Sequence, residues 1–415
     1  MTALWHNQAH MPSVLRRTRR IVRGEGAYVF DASGRRLLDV PAGLWFANIG
    51  HARPEMAEVV ARQIRELETY PVFGEFTNPR AEELAERLAA LVPVERAKIF
   101  FGSGGGEAAE TAIKLVRRYW QIAGRPERQA IVTMQGGYHG LHGLGTSVVG
   151  VPAFREGYGE LVPGNLQVPA MNLSALAELL AVHGERIAAV VCEPVMGGGA
   201  GVVPPPEGYL SGVQDQCRRH GVLLVLDEVI TGLGRAGALF AAERFGLRPD
   251  ILLLAKGLTS GYLPLGAAVV GWRVAEPFWA DGSTHVFRHG ITYSGHAAAC
   301  AAALTNLDIL DREALVDRVR GLERRLLDAL SPLREHPLVA DVRGGVGLLA
   351  GVAFRDHDVA EAVAAATAEH GMLMRVTGGN ALQISPPFVV PETALLEDLP
   401  RAIERALLAI SARSP

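Results

Sequence analysis

Two charged residues stand directly behind apolar runs. Asp227 follows Val222-Leu223-Leu224-Val225-Leu226, and Lys256 follows Ile251-Leu252-Leu253-Leu254-Ala255. Each run reads as a buried parallel strand that ends on one charge. At the ends of neighbouring parallel strands, an ammonium and a carboxylate face one crevice, where open α/β sheets bind ligands. Burial lowers a lysine's pKa and frees its amine as nucleophile and base. A buried carboxylate needs a cation or hydrogen bonds. The pair suits pyridoxal phosphate: the lysine forms a Schiff base with the aldehyde, and the aspartate keeps the pyridine nitrogen protonated. Taken singly, each residue has an ordinary alternative, a lysine snorkelling to water and an aspartate capping a turn.

A third feature gives the pair weight. In Phe101-Gly102-Ser103-Gly104-Gly105-Gly106-Glu107 a strand ends, glycines follow and a helix begins. Free amides at a helix N-terminus bind phosphate, so Gly105 and Gly106 are the expected contacts. The Gly-Lys-Ser/Thr ending of a nucleotide-binding P-loop is missing. Gly136-Gly137-Tyr138-His139-Gly140 follows another strand, and Tyr138 there can stack on a planar ring. His139 and His142 have a possible metal spacing, but no cysteine or acidic cluster accompanies them. His139 is therefore placed with the cofactor site as a packing and hydrogen-bonding residue, and no metal is expected. Gly232-Leu233-Gly234-Arg235-Ala236-Gly237 matches the dinucleotide pattern GxGxxG. It opens no clear helix, and Asp227-Glu228 would set negative charge near a pyrophosphate.

The elements that must carry these residues alternate. From about residue 97, strand-like runs (Ile99–Phe101, Ala130–Val132, Ala188–Val191 and the two above) are separated by helical segments at 107–120, 174–183 and 208–220. Such alternation implies an α/β fold with a mostly parallel sheet covered on both faces. Residues 26–40 read as a hairpin around Asp31-Ala32-Ser33-Gly34, and 80–91 as a helix. Beyond about 295 come two long helices (297–310, 313–330) and shorter runs at 338–342, 348–354, 358–370 and 382–384. The expected division is an N-terminal segment, 1–55, belonging to a small α+β domain; a large cofactor domain, 56–296; and the rest of the small domain, 297–415.

The 415 residues, about half apolar, suffice for two lobes. Forty-one basic and 44 acidic residues leave a formal charge of −3, which gives no electrostatic reason to expect nucleic acid or an acidic membrane as partner. The arginines at 16, 17, 19, 20 and 23 read as a solvated or subunit-contacting segment. Three cysteines without a CxxC pair argue against a disulfide framework or a zinc site and for a reduced, cytoplasmic setting. The N-terminus does not read as a signal peptide, and no apolar stretch is long enough to span a bilayer.

Across nearly its whole length, from about residue 14 to 411, the chain resembles the class III, or ω, aminotransferases, a group of fold-type I pyridoxal-phosphate enzymes. The resemblance is carried by 227–237 (Asp-Glu-Val-Ile-Thr-Gly-Leu-Gly-Arg-Ala-Gly) and 255–266 (Ala-Lys-Gly-Leu-Thr-Ser-Gly-Tyr-Leu-Pro-Leu-Gly). It implies that Lys256 is the Schiff-base lysine, that Asp227 meets the ring nitrogen, and that Val229 and Tyr138 take the two ring faces. It implies that Thr292 reaches the phosphate of a partner subunit, and hence a homodimer with shared active sites. Trp45, in Leu44-Trp45-Phe46, resembles the aromatic that amine:pyruvate-type members set against the substrate. Arg375 resembles the mobile arginine that binds a keto acid's carboxylate, for which a guanidinium fork is suited. The family usually has serine where Gly104 or Gly106 stands, and glutamine where Met196 stands. Gly197–Gly201 lacks the additional glutamate of ornithine-type members.

The expected reaction moves an amino group from an amine or ω-amino acid to a keto acid such as pyruvate or 2-oxoglutarate. An aminomutase or decarboxylating transaminase is the alternative on the same scaffold. A nicotinamide oxidoreductase built on 232–237 and a non-catalytic scaffold are the readings from other classes.

Overall fold

The computed structural model describes residues 3–412. Three N-terminal strands come first: β1 (Ile21–Glu25), β2 (Tyr28–Asp31) and β3 (Arg36–Asp39). The expected hairpin is β2–β3, and its turn is closed by the Asp31 carboxylate, which accepts from the amides of Ser33 (2.9 Å) and Arg35 (3.1 Å). Seven strands then build the main sheet: β4 (Lys98–Gly102), β5 (Ala130–Met134), β6 (Asn165–Val168), β7 (Ile187–Cys192), β8 (Leu223–Asp227), β9 (Ile251–Leu254) and β10 (Gly266–Val270). Their order is β4-β10-β9-β8-β7-β5-β6, and only β10 runs antiparallel to its neighbours. Every residue of β7, β8, β9 and β10 is buried, as strands covered on both faces must be.

Helices cover the sheet. Gly105–Ile122 buries Ala108, Ala112, Leu115 and Val116, one apolar stripe at helical spacing, and packs on β9 and β10. The helices Pro79–Leu91 and Leu173–His183 start where Asn78 and Asn172 accept from amides three residues on. The helix Ala297–Arg312 is rich in alanine, which lets it lie close against Pro54–Leu67.

Five further strands follow: β11 (Val339–Arg343), β12 (Ala350–Phe354), β13 (Met372–Leu373), β14 (Val376–Thr377) and β15 (Ala381–Ile384). One small sheet has the order β11-β12-β15-β14; the other, β1-β2-β3-β13, joins the N-terminal hairpin to a strand more than 330 residues later through the parallel pair β3–β13. Arg235 ties these parts together. Its guanidinium is wholly buried, donates to Pro386 O and Asn48 Oδ1 (both 2.6 Å), and lies 4.6 Å from the Phe388 ring centre. Burial without a carboxylate in contact pulls its pKa down to about 9. The segment 232–237 is a buried turn in which Gly234 and Gly237 have positive φ, followed only by the four-residue helix Ala241–Arg244, so it is not a dinucleotide-binding loop.

Among the described residues no helix is long and apolar enough to cross a membrane, and no cluster of three or more His, Cys, Asp or Glu could hold a metal ion. Cys192, Cys217 and Cys300 are buried free thiols.

Candidate active site

β8 and β9 are neighbours and parallel, with Asp227 opposite Leu253, so Asp227 and Lys256 leave the sheet at the same edge. Both line one cavity of about 760 Å³, with Ser103–Gly106 at the start of the helix Gly105–Ile122, Tyr138, His139 and Val229. The crevice predicted by the two apolar runs is this one.

Asp227 is fixed on both oxygens: Oδ2 is 2.7 Å from His139 Nδ1 and Oδ1 accepts from the Val229 amide at 3.0 Å. Burial opposes charge on His139, but the bond to Asp227 and its charge outweigh it, and the imidazole pKa is raised. His139 Nε2 is buried and has no partner among the described residues. Lys256 stands in the left-handed region at φ +43°, a conformation rare outside glycine. Burial lowers its pKa against the pull of Asp227 and Glu193, and Arg375 adds to the lowering. Its amine is thus biased toward the neutral, reactive form.

Glycine is required at the helix entrance. A Cβ at Gly105 would sit 2.8 Å from Val229 Cγ1, whereas Gly104, at φ −178°, has open space beside it. Gly106 lies under Gly140, where a Cβ would come within 2.6 Å of the Gly106 Cα. The first amides of a helix have no partner within it, so those of Gly105 and Gly106 could hold a phosphate group.

Several wall residues were not legible as site residues. Glu193 is buried and accepts from the amides of Tyr138 (3.0 Å) and Gly197 (3.1 Å). Burial, with Asp227 nearby, pushes its pKa up to about 7 against the opposing pull of His139 and those amides. Asn7 and Gln8 close the cavity from the N-terminal segment, and Leu263, Pro264 and Leu265 add an apolar side. No period or motif around Glu193, or around residues 7 and 8, signals a wall.

One expectation needs correction. Trp45 is buried in an apolar cluster with Val195, Val202 and Ile230, and it is Phe46 that lines the cavity. The backbone here is irregular, with positive φ at Ala42, Gly43 and Trp45. The Phe46 ring occupies the space that side chains at Gly43 and Gly261 would take, each Cβ meeting it at 2.3 Å. Arg375 is half-buried and donates to Gln383 Oε1 at 3.3 Å, within electrostatic reach of Tyr138 and Lys256. Thr292 is exposed and does not line the cavity of its own chain.

The residues present suit pyridoxal phosphate. A buried amine, a doubly anchored carboxylate and two helix-terminal amides converge on one space, and glycine at 105 keeps that space open. A model of the class-III aminotransferase family matches residues 11–407. The ω-amino acid–pyruvate aminotransferase of Pseudomonas putida is 35% identical over 414 residues, covering 94% of this chain and 92% of its own. A thermostable (S)-enantioselective ω-transaminase from Thermomicrobium roseum is 39% identical, covers 98% of this chain and 96% of its own, and superimposes with a TM-score of 0.93. An amine transaminase from an uncultivated Pseudomonas species, solved with pyridoxal phosphate bound, is 36% identical over 100% of this chain and 99% of its own, with a TM-score of 0.92. The architecture is that of the fold-type I pyridoxal-phosphate enzymes, and the chain belongs to the class III aminotransferases.

Proposed function

We propose that this aminotransferase takes its amino group from an amine or ω-amino acid and passes it to a monocarboxylic keto acid of the pyruvate kind. One observation carries the reading: a buried lysine amine and an anchored carboxylate share a cavity with the free amides of a helix start. When bound, pyridoxal phosphate supplies an electrophilic carbonyl and a ring that accepts the electrons of the donor's C–H bond.

The chain's own residues do the rest. Lys256 would hold the cofactor's carbonyl carbon through Nζ and, as a free amine, would take the proton from the donor carbon that bears the amine. Asp227 would hold the proton of the ring nitrogen, with His139 orienting its carboxylate. Val229 and Tyr138 would flank the ring, and the amides of Gly105 and Gly106 would hold the phosphate. Arg375 takes the acceptor's carboxylate. The name of the Pseudomonas putida relative supports pyruvate over 2-oxoglutarate.

The same reading joins residues 1–55 and 297–415 into one small domain around the large domain 56–296, supported by the β3–β13 pair. It also makes the enzyme a cytoplasmic homodimer. Phe73, Phe76, Val286 and Tyr293 are large apolar side chains left more than half exposed, and their loops adjoin across the Phe73–Gly290 contact. An apolar surface of this kind calls for a partner, and exposed Thr292 lies on it, free to serve the partner's phosphate. Sedimentation of wild type and Phe73→Glu tests the dimer.

The test of the function is spectral and chemical. An amine donor alone should consume the cofactor's carbonyl absorbance, and pyruvate should restore it. Borohydride should fix pyridoxyl mass on Lys256 and on no residue of the Lys256→Ala variant. Absence of cycling with every donor tried would refute amino transfer as proposed. Turnover without an acceptor, or release of carbon dioxide, would favour the aminomutase or decarboxylating alternative.

A further inference from the structure

The helix Ala297–Arg312 buries alanines, leucines and isoleucine along its length, and one amide, Asn306, wholly enclosed among them. A buried amide in an apolar helix is unfavourable unless its donors and acceptor are satisfied. Here all are satisfied on a single target. Asn306 Nδ2 donates to Gly257 O at 2.9 Å and Leu258 O at 3.1 Å, and its Oδ1 accepts from Ser260 Oγ at 2.6 Å. These are residues of the turn that follows Lys256.

The turn needs such a restraint. Lys256 at φ +43° and Ser260 at φ +51° are both left-handed and neither is glycine, so the backbone relaxes unless it is held from outside. Asn306 holds it from one side. Asn48 and Ile49 hold it from another: a Cβ at Gly257 would lie 2.4 Å from Asn48 Nδ2, and the Ile49 amide donates to Ser260 Oγ at 3.3 Å.

We propose that Asn306 is a positioning residue for Lys256: it clamps the 257–260 turn in the strained shape that aims the lysine amine into the cavity. The proposal rests on the role given to Lys256 above. A purely structural Asn306 would contribute to folding and leave the lysine's behaviour alone. A positioning Asn306 sets both the geometry and the desolvation of the amine, so its loss lets Lys256 turn toward water.

The test uses the full-length enzyme carrying Asn306→Ala, Asn306→Asp or Ser260→Ala. Asparagine-to-aspartate keeps the shape and removes the two donors, and Ser260→Ala removes the hydroxyl's bonds to Asn306 and to the Ile49 amide, so these decide the matter if the alanine variant does not fold. In the apoenzyme, competitive acetylation read by mass spectrometry gives the ionisation midpoint of Lys256. It should rise by about one pH unit as the amine gains solvent. In the loaded enzyme, the fraction of bound pyridoxal phosphate that borohydride fixes to Lys256 should fall, and kcat should drop by about 10- to 100-fold, with KM for pyruvate within about threefold. Asn306→Gln, if it regains the carbonyl contacts, should recover part of the loss. Variants with a lower melting temperature but an unchanged Lys256 midpoint, trapping fraction and kcat per bound cofactor would overturn the proposal. If wild type itself fixed no pyridoxyl group at position 256, the reading of Lys256 would fall instead.

Discussion

Gly105→Ala is the substitution whose effect can be worked most directly from distances. The new Cβ would lie 2.8 Å and 2.9 Å from the two γ carbons of Val229. Carbon atoms rest about 3.5–4.0 Å apart, so Val229 must retreat by roughly 1 Å. Its amide is tied to Asp227 Oδ1 at 3.0 Å, and the open side of its half-buried side chain is the cavity wall it forms. The displaced methyl groups thus enter the volume proposed for the cofactor ring. Overpacking of this size costs about 1–3 kcal/mol. If the cost falls on the bound state, the dissociation constant for pyridoxal phosphate rises by about 5- to 150-fold. Titration of apoenzyme with pyridoxal phosphate, followed by absorbance, measures it directly. Two companions make the reasoning vulnerable. In a Val229→Ala background the γ carbons are gone, and adding Gly105→Ala should change affinity by less than about threefold. Gly104→Ala points into open space from extended backbone and should be nearly silent. Equal affinity of Gly105→Ala and wild type, or the same loss with and without Val229, would refute the argument.

Three further outcomes are expected. Arg375→Ala should raise KM for pyruvate by about 10- to 100-fold, the worth of a charge-assisted pair, while leaving KM for an uncharged amine donor nearly unchanged; steady-state kinetics with each substrate varied decides it. Glu193 has its pKa raised by burial from 4.5 to about 7, so the fold favours its protonated form. That contribution is complete below about pH 4.5 and fades as pH climbs through 7, by an amount on the order of 3 kcal/mol; chemical denaturation of the apoenzyme should show a shallower decline over this window in Glu193→Gln than in wild type. Arg235→Met leaves Asn48 Oδ1 and the Pro386 carbonyl without their buried donor and should cost about 3 kcal/mol or more in the same assay.

The centre of the site could be read from the chain because buried parallel strands write themselves as unbroken apolar runs, and a charge at the end of such a run is conspicuous. Asp227 and Lys256 stand out that way, and the structure sets both, with the glycines before the helix at 105, on one cavity. β10 was not found, since Gly-Ala-Ala-Val-Val is too small and too weakly patterned to stand out, although it inserts between β4 and β9. The bond from His139 to Asp227 spans 88 positions, and no local period encodes it. Asn306 was hidden for a related reason: one polar letter in an apolar helix carries no signal until its target is seen. The Trp45 expectation failed at a turn. Positive φ at Ala42, Gly43 and Trp45 makes this turn irregular, and composition does not reveal it.

The parallel pair between Leu38-Asp39 and Met372-Leu373 also bears on how the molecule is made. During synthesis the hairpin leaves the ribosome early, yet the strand that covers its open edge arrives more than 330 residues later. At ordinary elongation rates that is a wait of roughly 20–70 s. Through this interval an unsatisfied edge is available to any passing strand, including the same hairpin on a neighbouring nascent chain. Yield in a producing cell should therefore respond to translation speed and to holdase chaperones, even for variants whose finished form is as robust as the parent's.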